Sequence, residues 1–316
     1  MITTDVSIIR ERLQQGDLIG LPTETVYGLA ANVFNSNAVS QIFTTKKRPT
    51  SNPLIVHVAS ISQARALVKR FPEKANQLAK AFWPGPLTMI LPKSQTVSPL
   101  VTANQENVAI RIPNHPIALN LLNQLDFPLV APSANPFNRI SPTSAEHVEF
   151  YFPSIYTLDG GSCQSGVEST IVGFEGDEVV LMRHGAISIE DIEACVGRIL
   201  NRTSITEKAL VPGQHKKHYA PTCDLIVTYE PLFMLSAIKQ KKVGILWYKS
   251  VQIESIHVDV NMVLAPSGDL AEAAKNLFAS LHTLDAMCLD LIIVERLPSH
   301  GLGITINDRL DRAATK

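Results

Sequence analysis

Residues 22–57 read PTETVYGLAANVFNSNAVSQIFTTKKRPTSNPLIVH. A short apolar strand containing Leu18, Ile19 and Leu21 ends at Pro22, and the polar or turn-forming residues Thr23, Glu24, Thr25, Tyr27 and Gly28 follow it. Side chains able to do chemistry are thus presented just past a strand end, which is where open α/β sheets put their sites. Lys46, Lys47 and Arg48 then arrive together at the predicted end of a helix. Pro49, Asn52 and Pro53 stop that helix and make a rigid connection to a strand over 54–58. Three cations and an amide therefore converge on one loop. Charges at a helix end also answer the helix dipole, so a solvated helix end remains open as a reading of these residues alone.

Working outward, the 316 residues are enough for two domains, and 45% hydrophobic with 18% charged residues is the profile of globular material with real cores rather than a disordered chain. A formal net charge of −1 argues against a protein that coats nucleic acid electrostatically, although a local basic concavity stays possible. Any connection to RNA is expected to be indirect. Cys163, Cys195, Cys223 and Cys288 form no C-x-x-C pair, so neither a zinc knuckle nor a disulfide framework is indicated, and a reducing cytoplasm fits. The opening MITTDVSIIRERLQQGD has acidic residues and helical periodicity instead of an export signal, and no stretch approaches the roughly 18 apolar residues of a membrane span.

Along the chain, a helix over 4–15 feeds the first strand, and a second helical region over 62–82 breaks at Phe71-Pro72. Strands follow over 87–91 and 108–112, then a helix over 116–125 and a strand at 129–130 before APSANP. A helix starting near 142–143, a strand over 155–158 and a hairpin of 169–173 with 179–182 complete the first unit, closed by a helix over 188–200. Hairpins beside crossover helices predict a mixed sheet. Residues 201–222, with Pro212-Gly213 and a cationic run over 214–218, read as a linker. From 223 to 316 strands over 225–228, 243–248, 262–264 and 291–294 alternate with helices over 231–238, 270–284 and 307–314. That alternation predicts a small parallel αβα unit, Rossmann-like in its layering.

A phosphate site needs cations and donors. The candidates are Lys46, Arg48 and Asn52, then Ser133 and Asn135, Ser141, and Arg183 after the hairpin. There is no G-x-x-x-x-G-K-[ST] and no strand-G-x-G-x-x-G-helix, and Gly301-Leu302-Gly303 reads as a loop before the last helix. A bound nucleotide would use a cradle assembled from several loops. Arg111, a charge amid Val108, Ile110 and Ile112, must face solvent on an edge strand or find an anion; His57 stands likewise in an apolar strand. His215 and His218 lie three apart with no nearby carboxylate or cysteine, so no metal site is assigned. Cys163 has no base paired with it, so no nucleophile is assigned.

PTETVYGL at 22–29, K-x-R-P at 46–49 with NPLIVH at 52–57, VAIRIP at 108–113, APSAN at 131–135, GVEST at 166–170 and HYAP at 218–221 occur in the order seen in threonylcarbamoyl-AMP synthases. The sequence resembles the long form of that family over nearly its whole length. The resemblance implies a YrdC-like catalytic domain over 1–200, a linker over 201–222 and a C-terminal domain over 223–316. It implies formation of L-threonylcarbamoyl-AMP from L-threonine, bicarbonate and ATP with release of pyrophosphate. The product would pass to a separate transferase that modifies the adenosine beside a tRNA anticodon, with weak or no direct tRNA binding.

By the same resemblance Lys46, Arg48, Ser133 and Asn135 match the nucleotide-binding tetrad, with Lys46 and Arg48 as electrostatic stabilisers of the reaction. Asn52, Ser141, Arg183 and Tyr219 complete the ATP set. Thr25, His57, Arg111 and Ser169 line the threonine pocket, Ala131 contributing through its backbone. Mg²⁺ would be carried in on the triphosphate. The usual R-P-G is here Arg183-His184-Gly185, which frees a backbone N–H. Tyr219 carries two readings, packing of the linker on the C-terminal domain or closure over the nucleotide. Two functional alternatives stay open at this level: an RNA-binding module using the same concavity, and a carbamoyl-adenylate former acting on another amino acid.

Overall fold

In the computed structural model, which describes residues 1–203, 218–238, 241–250 and 258–315, the chain enters through β1 (Ile2–Thr3) and α1 (Val6–Gln15). Asp5 caps that helix by accepting the Ser7 N–H, and Ile9 and Leu13 are its buried stripe. β2 (Ile19–Leu21) pairs antiparallel with β3 (Gly28–Asn32), so the PTETVY segment is the connection between two adjacent strands. The sequence reading contained no β3, because Gly28, Ala30 and Ala31 lack the β-branched and aromatic side chains that mark a strand. α2 (Ser36–Lys46) is capped by Asn35, whose side chain accepts two N–H groups, and ends at Lys47 with φ 52°. Next come β4 (Ile55–His57), α3 (Ile61–Ala66), α4 (Glu73–Phe82), β5 (Leu87–Pro92) and β6 (Asn107–Arg111). They are followed by α5 (Pro116–Asn123), β7 (Leu129–Val130), α6 (Ala145–Tyr151), β8 (Tyr156–Leu158), the hairpin β9 (Thr170–Glu175) and β10 (Glu178–Arg183), α7 (Ile189–Val196) and β11 (Leu200–Asn201).

Among the described residues these eleven strands form one sheet in the order β1-β8-β2-β3-β7-β4-β6-β5-β9-β10-β11. Its pairing is mixed: β4–β6 and β5–β9 run parallel, whereas β2–β3, β4–β7 and β9–β10 run antiparallel. Several boundaries differ by a residue or two from expectation, and two differ in kind. The helix predicted to start at 142–143 begins at Ala145 behind the Ser144 cap, and the helix predicted to run to 200 stops at Gly197, after which β11 joins the sheet edge beside β10.

The C-terminal unit comprises β12 (Asp224–Thr228), α8 (Pro231–Ser236), β13 (Val243–Trp247), β14 (Val260–Val263), α9 (Leu270–Ala286), β15 (Leu291–Glu295) and α10 (Leu302–Ala314). Its described strands are all parallel, ordered β12-β15-β13-β14, as the alternating pattern requires. The last helix begins five residues before its predicted start. Gly303, which made the segment look like a loop, lies in the helix, and glycine is required there because a Cβ would stand 2.0 Å from the Pro298 carbonyl oxygen. Pro212-Gly213, the run over 214–217 with His215, and most of the predicted linker lie outside the described residues.

The two units are joined by a shared core. Val26, Ile140 and Val167, from loops of the larger unit, pack in one apolar cluster with Tyr219, Phe278, Leu281 and Leu310. Gly166 permits the approach: at φ 68°, its Cβ position is 2.3 Å from the Lys275 carbonyl oxygen of α9, so no side chain fits. Asp285 of α9 accepts from Arg139 at 2.8 Å, and His282 of α9 meets the Ser141 carbonyl at 3.1 Å.

Candidate active site

β4 and β6 run parallel with His57 opposite Arg111, so both residues reach the same end of the sheet. Close to that end lie the 22–27 connection, the loop after β7 that begins at Ala131, and Ser169 just before β9. Together they line a cavity with about 550 Å³ of empty space, part of it open to solvent.

One wall is built inside the larger unit. β6 lies between β4 and β5, so Arg111 is interior, and 4% exposed, rather than on an edge. The anion it finds is Glu24, a residue not singled out as a site from the sequence: the carboxylate stands 2.6 Å from Nη2, and both side chains are buried. Arg111 also donates from Nη1 to Thr25 Oγ1 at 2.8 Å and from Nε to the Gly85 carbonyl at 3.3 Å. Thr23 bonds Thr25 at 2.9 Å and donates to the Val26 carbonyl at 2.6 Å, fixing the turn that carries both hydroxyls. Burial, reinforced by Arg111, pushes His57 down to about 3, so its ring is neutral near pH 7.

Another part of the lining carries Arg48 and Arg183. Arg48 is held by the carbonyls of Asn52 at 3.3 Å and Pro53 at 2.9 Å. Arg183, displaced inward where β10 bulges between Leu181 and Arg183, donates to the Ser169 carbonyl from Nη2 at 2.7 Å and from Nε at 3.2 Å. Its Nη2 also meets Ser169 Oγ at 3.1 Å, and that hydroxyl is shared with Thr88 at 2.8 Å. Burial, then the charge of Arg183, lowers Arg48 to about 9; burial lowers Arg183 to about 10, with Tyr219 opposing and Arg309 adding to the fall. Both guanidinium groups stay charged near neutrality. Two buried like charges make this wall a demand for an anion.

The cavity is completed by Glu168, His218 and Tyr219. Glu168 accepts from Ser141 Oγ at 2.7 Å and from Arg309 Nε at 2.8 Å. Burial raises its carboxyl, but Arg309, Arg183 and those two bonds outweigh burial and hold it below the usual range. Tyr219, at φ 63° and 1% exposed, stacks on Phe278 of α9 at 5.3 Å, the packing role read for it from the sequence, and also lines the cavity.

Of the residues expected from the sequence, Thr25, His57, Arg111, Ala131 and Ser169 line the cavity together with Arg48, Ser133, Arg183 and Tyr219. Lys46, Asn52, Asn135 and Ser141 stand behind its surface. The Lys46 ammonium donates to the carbonyls of Ser133 and Asn135, and burial followed by the charge of Arg48 lowers its pKa well below the lysine value. Asn135 donates to the carbonyls of Pro136 at 2.8 Å and Arg139 at 2.9 Å, which shapes the loop rather than the cavity. Thr23, Glu168 and His218 line the cavity without having been selected, although each sits inside a motif already quoted. The carboxylates of Glu24 and Glu168 are each paired with a buried arginine, Arg111 and Arg309.

The protein is thus of the mixed α/β class, with a buried arginine-lined cavity at the strand ends of its large sheet and a second αβα unit packed beside it. Residues 11–185 match the Sua5, YciO and YrdC family described under telomere recombination, and residues 187–315 match the threonylcarbamoyl-AMP synthase C-terminal domain. The chain is 39% identical to the threonylcarbamoyl-AMP synthase of Pyrococcus abyssi over 318 residues, covering 96% of this chain and 92% of that one. It is 40% identical to the Bacillus subtilis synthase over 314 residues, covering 96% and 90%. The crystal structure of P. abyssi Sua5 complexed with L-threonine superposes with a TM-score of 0.90 at 38% identity, covering 98% of this chain and 94% of that one. The chain belongs to the threonylcarbamoyl-AMP synthases, a family of enzymes, in their two-domain form.

Proposed function

We propose that the protein forms L-threonylcarbamoyl-AMP from L-threonine, bicarbonate and ATP, releasing pyrophosphate, and that the product serves threonylcarbamoyladenosine modification of tRNA next to the anticodon through a separate transferase. The observation that carries this reading is that one cavity joins a polar wall of Thr25, His57 and Arg111 to a cationic wall of Arg48 and Arg183. The first wall suits an amino acid: Arg111, pre-oriented by Glu24, Thr25 and Gly85, meets the carboxylate, and neutral His57, Ser169 and the Ala131 backbone contact the rest. Arg48 and Arg183 take the triphosphate, with Ser133 and Tyr219 beside it.

The reaction asks for a carbamate held in line with the α-phosphate and for charge stabilised on departing pyrophosphate, which positioning and fixed cations supply without a covalent intermediate. Asn52, Asn135 and Ser141 act from behind the cavity surface. Lys46, whose ammonium donates to the Ser133 and Asn135 carbonyls, joins Arg48 in stabilising the charge that develops on the phosphates. The reading needs no protein-bound metal ion; Mg²⁺ arrives on the nucleotide. A domain division at 1–200, 201–222 and 223–316 and a cytoplasmic setting belong to the same reading. They are supported by the separate parallel sheet, by four free cysteines, and by the lack, among the described residues, of any helix long and apolar enough to cross a membrane.

The test is pyrophosphate release from pure protein given ATP, bicarbonate and each amino acid in turn. Release that depends on both threonine and bicarbonate is expected. Release without threonine, or salt-sensitive RNA binding in its place, would sink the reading.

A further inference from the structure

Helix α10 reaches out of the C-terminal unit into the cavity wall. Arg309 is 1% exposed; its Nε donates to Glu168 Oε2 at 2.8 Å, its Nη2 donates to the His184 carbonyl at 2.7 Å, and its guanidinium carbon lies 5.3 Å from the centre of the Tyr219 ring. One turn earlier, Thr305 donates its hydroxyl to the Gly185 carbonyl at 2.9 Å. These bonds grip the chain on both sides of a single side chain. Residues 184 and 185 directly follow Arg183, and Glu168 directly precedes Ser169, whose carbonyl and hydroxyl hold the Arg183 guanidinium. Glu168 and Arg183 also sense each other's charge across the wall.

We propose that Arg309 is a positioning residue for the anion site: it holds the Glu168 carboxylate and fixes the 183–185 segment, so that Glu168 does not compete with substrate phosphate for Arg183. This rests on the nucleotide reading above and extends it to the C-terminal unit. The physical reason is competition. A buried carboxylate that loses its cation is strongly destabilised and turns to the nearest remaining one, and an Arg183–Glu168 pair would then compete with phosphate for the same guanidinium.

Calorimetric ATP titration of the full chain tests it, with wild type, Arg309→Met, Glu168→Gln and the double variant compared and melting temperatures recorded alongside. Arg309→Met is expected to weaken ATP binding by about 10- to 100-fold, less than a directly lost buried charge contact costs because Arg309 acts through Arg183. The double variant is expected to bind within about threefold of Glu168→Gln alone, because a neutral amide no longer competes for Arg183. A merely structural role predicts no such rescue, so a double variant as weak as Arg309→Met overturns the proposal, as does an Arg309→Met chain that binds like wild type. Wild-type protein that binds no ATP overturns the functional reading, and this inference with it. Should Arg309→Met fail to fold, Thr305→Val removes only the bond to Gly185: weaker ATP binding at an unchanged melting temperature supports the grip, and wild-type affinity overturns it.

Discussion

Glu24–Arg111 and Glu168–Arg309 are both buried carboxylate–arginine pairs beside the same cavity, yet they are assembled from different material. The first lies within the larger unit, its arginine on an interior strand. The second brings together residues 141 apart in sequence and exists only when α10 is docked. A wall of the first kind is complete as soon as its own sheet has formed; a wall of the second kind reports whether the two units are engaged. Properties that depend on the first wall and on the second should therefore respond differently to the same kind of damage.

The comparison is broken most directly by Glu24→Ala, which leaves Arg111 charged and unpaired in the interior. It is expected to cost about 3–5 kcal/mol of unfolding free energy in urea melts and to abolish threonine-dependent pyrophosphate release. A loss under about 1 kcal/mol would mean that the pair is not a buried unit at all. On the other wall, Tyr219→Ala removes a ring stacked on Phe278 and is expected to cost about 3 kcal/mol and to weaken ATP binding, whereas Tyr219→Phe keeps the stack and most of the stability.

Acid sharpens the contrast. Burial lowers both His57 and His282 to about 3 from 6.5, so each stays neutral in the folded chain while the unfolded chain takes up a proton. The stability each contributes is fully present above pH 6.5 and falls away as pH drops toward 3, by about 1.4 kcal/mol per pH unit for each proton. Around His282 stand His147, stacked at 3.8 Å, with Glu146, Arg139, Asp285 and Tyr151 nearby. His282→Asn is expected to flatten the pH dependence of unfolding by one proton without changing threonine affinity; an unchanged slope would show that the ring is already charged. The smallest effect belongs to the partly exposed Arg139–Asp285 pair, where Asp285→Asn is expected to cost about 1 kcal/mol or less in the same melts.

What the sequence made legible follows the range of the physical signal. Arg111 stood out because a lone charge in an apolar strand has few places to go, and the mixed sheet followed from hairpins beside helices. Glu24 was in view, but nothing local says that β6 carries Arg111 to it; that proximity is made by strand order. Lys46 carried a readable signal that was passed over: Val39, Ile42, Phe43 and Lys46 have the spacing of one helix face, and all four are buried. Arg309, between Asp308 and Asp311, reads as part of a solvated charge run, and only tertiary packing makes it interior. β3 and the first turn of α10 were hidden by small residues whose role is close approach.

The shared apolar cluster also carries a consequence for how the chain is made. Val26, Ile140 and Val167 leave the ribosome well before Phe278 and Leu281, the side chains that cover them. With roughly 110 residues between Val167 and Phe278 and synthesis at about 5–20 residues per second, the nascent larger unit presents uncovered apolar loops around its cationic cavity for roughly 5–20 s. In that interval the newborn chain is most open to chaperones and to self-association, and the docking of α9 and α10 ends it.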